Sequence, residues 1–396
     1  MITELYIANY KCFKARKDFP LSSVNLFTGL NGRGKSSVLQ TVLLLSQSVI
    51  NTDSLKDLLI SSSWLKLGDF DDIKSSPSSD DNSITLGFKT DIEKLNSFEF
   101  KYEEKKGAIG KGILREYTLN GEKSSKDSLS TSPTTAPSEE EETNNVSVIN
   151  YQDDPRILKI FRNVHYVSAD REGPKLYVEK YGLSEIQKAG VHGENTIRIL
   201  SSYQEPLNAE LFFDEQPKDI LELCQQWMSF IFDGVKMEIA SNKDDSVLSL
   251  NFNPQTDSTY YKAVNVGFGY SYVLSLVISC LIAKKDEILI IENPEAHLHP
   301  RAQSRLTQLL VRLAQTGVQI FVESHSEHIL NGFRLAVANK ENTFTNDMLC
   351  VYYFDEKFEV IKMNVQLDGF IENWPSGFFD QNELDMSLLF RYSRKK

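Results

Sequence analysis

Apolar and polar residues alternate within residues 83–120, whereas apolar runs of strand length between helical patterns appear from residue 264 onward. Residues 83–88 and 98–102 alternate with a period of two, which predicts antiparallel strands with one buried face. From residue 264 onward a helical pattern is followed by an apolar run, and the same order then repeats. Continuous apolar runs between helices are typical of strands buried in a parallel sheet. The pattern predicts an α/β fold with a parallel core sheet and a separate antiparallel β subdomain.

Changes in this pattern divide the chain into five segments. Residues 1–121 form an N-terminal lobe, 156–263 a mixed helical and β lobe, 264–365 a C-terminal lobe and 366–396 a tail. Residues 122–155 differ, because Ser, Thr, Pro and acidic residues dominate their first part and Leu129 is its one large apolar side chain. Such a stretch buries too little apolar surface to offset its loss of conformational entropy. We therefore expect a flexible acidic insertion there.

Composition narrows the class of protein. The chain has 396 residues, 41% of them hydrophobic, and a formal net charge of -12. This charge argues against a protein that coats nucleic acid with its whole surface, but it leaves a local basic patch open. The candidates for such a patch are Arg156, Arg162, Lys175, Lys180 and Lys188.

The cysteines and the N-terminal sequence indicate the cellular compartment of the protein. The four cysteines lie far apart without a CxxC pair, as is typical of reduced thiols in a cytosolic protein. The chain opens directly into a strand pattern, and its apolar runs stay below the ~18 residues of a membrane helix. We expect a cytoplasmic protein without a signal peptide and without a membrane span.

A phosphate-binding motif follows the strand pattern at residues 24–28. Residues 29–36 read GLNGRGKS and fit G-x-x-x-x-G-K-[ST] without a mismatch, and an apolar helix pattern comes next. In such a loop the glycines allow backbone N–H groups to face phosphate oxygens, Lys35 reaches the β- and γ-phosphates, and the Ser36 hydroxyl ligates Mg²⁺. The predicted nucleotide-binding residues are Asn31, Gly32, Arg33, Gly34, Lys35, Ser36 and Ser37.

Acidic residues end the apolar run at 288–291, and a histidine follows the run at 318–322. Glu292, Asn293 and Glu295 stand at the C-terminal end of the first run, where open α/β sheets bind their ligands. A carboxylate there can hold Mg²⁺ beside Ser36, and a second can position an attacking water. His325 is placed to contact a γ-phosphate, while a structural histidine is the alternative. His297 and His299 are a weak candidate metal pair.

Together these residues resemble the ABC-type ATPase heads of the RecF, SMC and OLD group over the whole chain. The similarity is carried by the loop at 29–36, NYKCF at 9–13, ENPEAHLHP at 292–300 and ESHS at 323–326. The strings YVSADREGP at 166–174 and WPSGFFD at 374–380 resemble a stand-alone bacterial subfamily. Several relatives of that subfamily serve in phage defence, such as the Septu-type ATPase. The resemblance implies a P-loop NTPase head with a helical lobe that uses ATP and Mg²⁺.

The same resemblance implies a homodimer that sandwiches two ATP molecules, with a higher oligomer left open. Each site is then completed in trans by a glycine-containing signature, here Gly267, Phe268, Gly269 and Ser271, at the start of a helix expected from Ser271. Which of these residues takes the part of the signature serine stays open. The family's glutamine beside Mg²⁺ corresponds to Gln40, to Gln47 or to the loop at 68–70.

Two departures from the family concern hydrolysis. Glu292 stands where the family usually has the Mg²⁺-binding Asp, and Asn293 stands where it has the catalytic Glu. Asn cannot accept a proton, so either Glu295 activates water or hydrolysis is slow and ATP serves as a dimer clamp. The candidate catalytic set is Glu292, Glu295 and His325.

Missing segments shape the functional expectation. The chain shows neither the Toprim nuclease domain of OLD proteins nor the long coiled coils of SMC proteins. We therefore expect an ATP-driven dimeric switch for a separate effector, a nuclease in anti-phage defence. The alternative is a RecF-like DNA repair ATPase that binds DNA directly, and a transporter ATPase subunit fits least.

Overall fold

The computed structural model describes residues 1–75, 82–105, 107–125, 153–180, 187–242, 246–254 and 258–393. The chain divides into two compact units, residues 1–21 with 36–164 and residues 22–35 with 165–396. Each unit is discontinuous, because residues 22–35 belong with the C-terminal part of the chain. The five-segment division stays a prediction, and residues 126–152 of the expected insertion lie outside the described residues.

The first unit is built on an antiparallel sheet, which has seven strands within the described residues and the order β2-β1-β5-β6-β7-β4, with β8 beside β7. Its strands are β1 (Ile2–Ala8), β2 (Lys17–Pro20), β4 (Asp57–Leu59), β5 (Ser83–Thr90), β6 (Ser97–Glu104), β7 (Lys111–Leu119) and β8 (Glu122–Ser125). The helices are α1 (Lys35–Thr52, entering from the second unit at Lys35), α2 (Phe70–Ile73) and α3 (Pro155–Arg162). The alternating strands predicted at 83–88 and 98–102 are present as β5 and β6. Their buried rings stack, with the centroids of Phe88 and Phe98 5.0 Å apart.

The start of the expected flexible insertion is ordered instead. Glu122–Ser125 forms strand β8, which pairs antiparallel with β7 in the register Leu119↔Glu122. The two residues between these strands, Asn120 and Gly121, have φ angles of 50° and 89°. Two positive φ values match the twist of a two-residue hairpin turn, for which Asn-Gly is the preferred sequence. The expectation of a flexible segment from residue 122 was therefore wrong for its first four residues.

The second unit contains the core sheet, with the strand order β17-β16-β3-β15-β14-β9 in the described residues. Strands β16, β3, β15 and β14 run parallel, and β17 pairs antiparallel with β16. Its strands are β3 (Val24–Gly29), β9 (Val164–Val167), β14 (Ile288–Glu292), β15 (Gln319–Glu323), β16 (Leu349–Phe354) and β17 (Val360–Met363). A smaller sheet has the order β10-β12-β11 with β13 beside β12, and consists of β10 (Val178–Glu179), β11 (Lys236–Ser241), β12 (Val247–Asn253) and β13 (Tyr261–Lys262). The helices are α4 (Thr196–Ser202), α5 (Ile220–Ile231), α6 (Phe268–Ile282), α7 (Pro300–Gln315), α8 (Glu327–Ala338) and α9 (Gln381–Ser393).

Burial follows the predicted pattern in this unit. Ile288–Ile291 of β14 and Ile320–Val322 of β15 are buried, as expected for strands inside a parallel sheet. Helix α6 is buried continuously over Val273–Ile282, whereas α9 buries none of its side chains. Within the described residues, no helix combines the length and the apolar character that a membrane crossing requires.

Strand β3 requires a glycine at position 29. It has a φ of 122°, and a Cβ atom there would lie 2.3 Å from the carbonyl oxygen of Phe354 on β16. Side chains rarely adopt this φ, and two backbones cannot separate as a flexible side chain can. Gly32 also has a positive φ, 70°, but a Cβ atom there would meet nothing within 4 Å.

These two glycines form a matched pair for a stability test. We expect Gly29→Ala to lower the free energy of unfolding by about 2–4 kcal/mol, because strain and backbone overlap add. Gly32→Ala should lower it by only about 1 kcal/mol, the cost of a left-handed residue alone. Urea unfolding followed by circular dichroism measures both, and equal losses would contradict the close contact with Phe354.

Candidate functional site

The loop at residues 29–36 lies between β3 and α1, as the motif predicts. Gly29, Gly32 and Gly34 all have positive φ angles, so the backbone turns tightly through the loop. Asn31 and Gly32 are exposed, whereas Arg33 and Gly34 are half-buried. The Arg33 guanidinium stacks over the Phe358 ring at 4.3 Å. Ser36 and Ser37 follow Lys35 in the first turn of α1.

Lys35 is a buried cation held by the loop itself. Its side chain donates from Nζ to the carbonyl oxygens of Gly29 at 3.0 Å and Leu30 at 2.7 Å, and the residue is 3% exposed. Burial lowers the pKa of Lys35, whereas the carboxylate of Glu323 raises it. A buried ammonium whose hydrogen bonds go to neutral carbonyls is well suited to an incoming anion, since phosphate supplies the charge that these carbonyls lack. The loop therefore fits a nucleotide phosphate chain.

Strand register brings the remaining candidates to one edge of the sheet. β3 and β15 pair parallel with Phe27 opposite Glu323, and β15 and β14 pair parallel with Glu323 opposite Glu292. Gly29 continues from Phe27 at the same C-terminal edge. Open parallel sheets bind their ligands at this edge. The structure thus brings together the loop, the end of β14 and the end of β15.

Glu292, the last residue of β14, is held by the end of β9 and by the segment that follows it. Its Oε2 accepts a hydrogen bond from the Ala169 backbone N–H at 3.1 Å, and the Tyr166 hydroxyl hydrogen-bonds the same carboxylate. Burial and the nearby Glu292 charge raise the pKa of Tyr166, so its hydroxyl stays protonated and donates. The carboxylate keeps a fixed direction, which suits a ligand of a hard cation such as Mg²⁺.

Asn293 has a left-handed backbone conformation, with a φ of 45°. Its N–H donates to the Glu323 carbonyl at 2.9 Å, which ties the end of β14 to β15. Asn tolerates this conformation better than most side chains, because its short amide can interact locally with the backbone. Asn293 is therefore a residue that the local backbone favours at this position.

Glu295 holds the start of the loop after β15. Its Oε1 accepts from the His325 backbone N–H at 2.7 Å, and its Oε2 accepts from the Ser324 hydroxyl at 2.8 Å. Both carboxylate oxygens are thus engaged with the two residues that follow β15. The turn after β14 and the turn after β15 are joined by this one carboxylate.

His325 faces the phosphate loop from the end of β15. Desolvation lowers the pKa of its ring from the usual 6.5 and the Lys35 ammonium lowers it further, whereas Glu295 and a hydrogen bond to the Gly29 backbone raise it. The net shift is downward, so the ring is neutral at pH 7. A neutral imidazole here offers one donor nitrogen and one acceptor nitrogen.

The C-terminal string WPSGFFD borders the same loop. A cleft of about 710 Å³ is lined by the end of β3 and the loop residues Gly29 and Leu30, by His325, and by Ser376–Gln381. Within the string, Gly377 donates to the Asp380 carboxylate at 2.8 Å, and its carbonyl accepts from the Tyr353 hydroxyl at 3.2 Å. Residues 376–380 of the WPSGFFD string thus line the cleft beside the phosphate-binding loop.

The predicted signature lies at the start of α6, but the helix begins earlier than expected. α6 starts at Phe268 with Gly267 as its N-cap, not at Ser271. The first turn of α6 requires a glycine at position 269, because a Cβ atom there would lie 2.7 Å from the His297 carbonyl oxygen. Phe268 is 55% exposed, while the Ser271 hydroxyl is buried without a hydrogen-bond partner among the described residues. The exposed part of the signature is Gly267 and Phe268.

Gln47 was wrong as a candidate for the Mg²⁺ glutamine. It is fully buried in α1, donating to the Leu59 carbonyl at 2.6 Å and accepting from the Leu65 N–H at 3.0 Å. Both the NH₂ group and the oxygen of its side-chain amide thus satisfy buried backbone groups, which require hydrogen-bond partners. Gln40 accepts a hydrogen bond from Lys11 within the first unit.

His299 and three of the basic candidates have local partners. His299 is the N-cap of α7, where its side chain accepts from the Arg301 N–H, and the described residues contain no group of three or more His, Cys, Asp or Glu side chains that could hold a metal ion. Among the basic candidates, carboxylates pair with Arg156, Arg162 and Lys175, and burial lowers the pKa of Lys188. The four cysteines are free thiols.

Two charged residues beside the site, Arg171 and Glu323, stand in strings that carry the resemblance but were not predicted as site residues. Arg171 is buried and donates through Nη2 to the carbonyls of Glu292 and Asn293, the latter at 2.7 Å. Glu323 is the carboxylate whose charge acts on Lys35. The largely polar residues 168–172 of the string YVSADREGP directly follow the buried strand β9, the same signal that identified the ends of β14 and β15.

Comparison with known proteins identifies a family. A family model described as "AAA ATPase domain" matches residues 1–330, and one described as "Protein of unknown function (DUF3696)" matches residues 345–389. No curated protein matches the chain.

Three solved structures of SMC heads are similar to the chain. An SMC head bound to the C-winged helix domain of ScpA is 12% identical, with a TM-score of 0.54 over 92% of this chain and 98% of that one. The SMC head domain from Thermotoga maritima is 13% identical, with a TM-score of 0.45 over 92% and 99%. A Pyrococcus furiosus Smc head, bound to the C-terminal domain of ScpA, is 10% identical, with a TM-score of 0.49 over 99% of both chains. At 12% identity the first match shows the fold alone, an ABC-type ATPase head.

The charge around His325 leads to a titration test. Phosphate groups beside the ring would favour its charged form, so we expect the slowly hydrolysed analogue ATPγS to raise the pKa of His325. Proton uptake on binding then means that affinity rises as the pH falls from 7 to 6. Histidine NMR with and without ATPγS measures the shift, and His325→Gln assigns the resonance. An identical titration in both states would place His325 away from the phosphates.

Proposed function

The chain belongs to the AAA ATPase domain family, and on this premise we propose that it is an ATP-binding and ATP-hydrolysing dimeric switch for a separate effector. The observation that supports nucleotide binding most directly is Lys35, a buried ammonium held by neutral carbonyls at a glycine-rich loop. The loop opens at the edge where β14 and β15 end. In this proposal ATP occupies that edge.

Each residue at this edge has a role in the proposal. The N–H groups of residues 31–37 and the Lys35 ammonium hold the phosphates. Ser36 and Glu292 would hold Mg²⁺, which would neutralise charge on the phosphate oxygens. The neutral ring of His325 hydrogen-bonds the γ-phosphate. Few protein ligands are needed, because Mg²⁺ beside a nucleotide keeps several waters and phosphate oxygens.

Hydrolysis is expected to be slow. Asn293 has no basic group for the attacking water, and both oxygens of Glu295 already accept hydrogen bonds from Ser324 and His325. Glu295 would act on water only after exchanging one of these bonds. We therefore propose that bound ATP persists long enough to serve as a clamp.

The clamp is proposed to form between two copies of the chain. Gly267 has nothing within 4 Å of where a Cβ atom would lie, and the neighbouring Phe268 ring is exposed. The N-terminus of α6 therefore offers an open backbone that a nucleotide of the second copy can approach. Because its hydroxyl is buried, Ser271 would need a change of rotamer to take part. A higher oligomer built from such dimers remains an alternative.

A separate effector follows by analogy. The similar SMC head is a structure bound to a domain of another protein, ScpA. We propose that this head likewise binds a separately encoded protein, a nuclease, and controls it in bacterial anti-phage defence. The subfamily resemblance of the Tyr166–Pro174 and Trp374–Asp380 strings supports this reading. The alternative, a RecF-like ATPase that binds DNA directly, receives less support because carboxylates pair with Arg156, Arg162 and Lys175.

The switch is tested with Lys35→Ala. We expect this variant to lose ATP binding and ATP-dependent dimerisation, because the phosphates lose their buried cation. Calorimetry measures binding and light scattering measures mass, with Arg312→Lys, a change in an arginine that donates to the Phe212 carbonyl, as the matched control. Unchanged ATP affinity in Lys35→Ala would refute the site, and a monomer with and without ATP would refute the clamp.

The same variant separates the two biological roles. Under the defence proposal, a host carrying the chain with its neighbouring genes resists phage, and Lys35→Ala removes that resistance in a plaque assay. Under the DNA-repair alternative, the purified chain alone binds DNA with an affinity that falls steeply with salt. Salt-dependent DNA binding without phage resistance would favour the alternative.

Glu295 and Asn293 give a test of the hydrolytic step. We expect Glu295→Gln to lower kcat by about 10–100-fold, because an amide places a donor against the Ser324 hydroxyl or the His325 N–H. Glu205→Gln, which changes an exposed carboxylate paired with Lys284, is the control. Asn293→Glu should raise kcat if that position faces the attacking water. Full turnover in Glu295→Gln would exclude Glu295 from the hydrolytic step.

A further inference from the structure

Arg171 is a buried charge that the proposed mechanism has not used. It follows β9 by four residues and is 3% exposed. Burial lowers the pKa of its guanidinium to about 10, with Glu295, Tyr272 and Glu292 acting in the opposite direction, so it remains charged at pH 7. A buried charge is expensive unless the surrounding groups make use of it.

The guanidinium fork joins two separate stretches of backbone. Nε donates to the Ser168 carbonyl at 2.9 Å, and Nη2 donates to the carbonyls of both Glu292 and Asn293. Arg171 therefore fixes both its own turn and the peptide at the end of β14. That peptide includes the left-handed residue Asn293, whose conformation needs such support.

The turn that Arg171 fixes also holds the Glu292 carboxylate. The Ala169 N–H and the Tyr166 hydroxyl both bond this carboxylate, while Arg171 bonds the main chain of the same residue. Glu292 is thus held from its side chain and from its backbone by residues 166–171. We call these residues the Glu292 clasp.

The clasp also balances charge. Glu292 and Glu295 are the carboxylates that act on Arg171, and Glu323 pairs with Glu292 in the strand register. Nη1 of Arg171 is buried without a hydrogen-bond partner among the described residues. A side chain that only hydrogen-bonded carbonyl oxygens would need neither the full charge of a guanidinium nor the additional donor Nη1.

We propose that the Glu292 clasp, with Arg171 at its centre, is the positioning element of the Mg²⁺ site. It sets the direction in which Glu292 presents its carboxylate, and Arg171 offsets the negative charge of that edge. The inference rests on the proposed function, because Glu292 is assigned to Mg²⁺ there. Partners that orient a metal ligand typically change metal affinity by about 10–100-fold.

The test measures metal affinity rather than turnover. MnCl₂ is titrated into the full chain with saturating ATPγS and followed by electron paramagnetic resonance. We expect Arg171→Lys to weaken Mn²⁺ binding by about 10–100-fold, because an ammonium keeps the charge but cannot make the forked contacts. ATPγS affinity in EDTA should be unchanged, since the phosphate loop is intact. Arg312→Lys is the matched control, with unchanged Mn²⁺ affinity expected.

A second variant covers the case in which Arg171→Lys does not fold. Tyr166→Phe removes one hydroxyl from the clasp and should weaken Mn²⁺ binding at least several-fold. If both variants fold, their combined effect should be less than the product of the single effects, because both act through Glu292.

The outcomes separate this inference from the proposed function. Unchanged Mn²⁺ affinity in Arg171→Lys, or in Tyr166→Phe where Arg171→Lys is unfolded, would overturn the clasp. A wild-type chain that binds no ATPγS, or whose complex with ATPγS takes up no Mn²⁺, would instead overturn the proposed nucleotide and metal site.

Discussion

The parallel register of β3, β15 and β14 is the constraint on which the site depends. It places Phe27, Glu323 and Glu292 side by side, so the chain leaves all three strands at one edge of the sheet. Each exit then supplies a different group: a glycine-rich loop, a histidine and a pair of acidic residues. A shift of one residue in any of these pairings would turn the terminal side chains to the opposite face. The chemistry proposed for the edge is therefore a property of strand pairing as much as of the motif.

Hydrogen bonds between the turns make this edge a connected structure. Glu295 joins the turn after β14 to the turn after β15, and Arg171 joins the segment after β9 to the end of β14. A movement of one of these turns would break hydrogen bonds to another turn, so the turns are expected to move together. Such an arrangement suits a switch, in which several groups change together when charge enters or leaves. It suits a rapid hydrolase less well, because the Glu295 carboxylate already accepts hydrogen bonds from Ser324 and His325.

The sequence predicts this fold and the main parts of its site because their signals are local. The glycine-rich loop, the buried runs of β14 and β15 and the position of His325 all depend on residues within a short window. Arg171 was missed because its partner Glu292 lies 121 residues away, and no short pattern connects them. Gln47 looked available because its partners Leu59 and Leu65 are backbone groups. The hairpin at Asn120 and Gly121 had a clear turn signal, but its second strand has the polar composition of a loop.

The close contact between β3 and β16 determines how many donors the phosphate loop can offer. The Leu30 N–H already donates to the Phe354 carbonyl at 3.0 Å, the same oxygen that excludes a side chain at Gly29. That amide is committed to the sheet, so the part of the loop open to an anion begins only at Asn31. Lys35 must likewise leave the carbonyls of Gly29 and Leu30 before it can follow a phosphate outward. The Leu30 N–H and the Lys35 ammonium are thus both bound to backbone carbonyls, and a phosphate would have to replace the hydrogen bonds of Lys35.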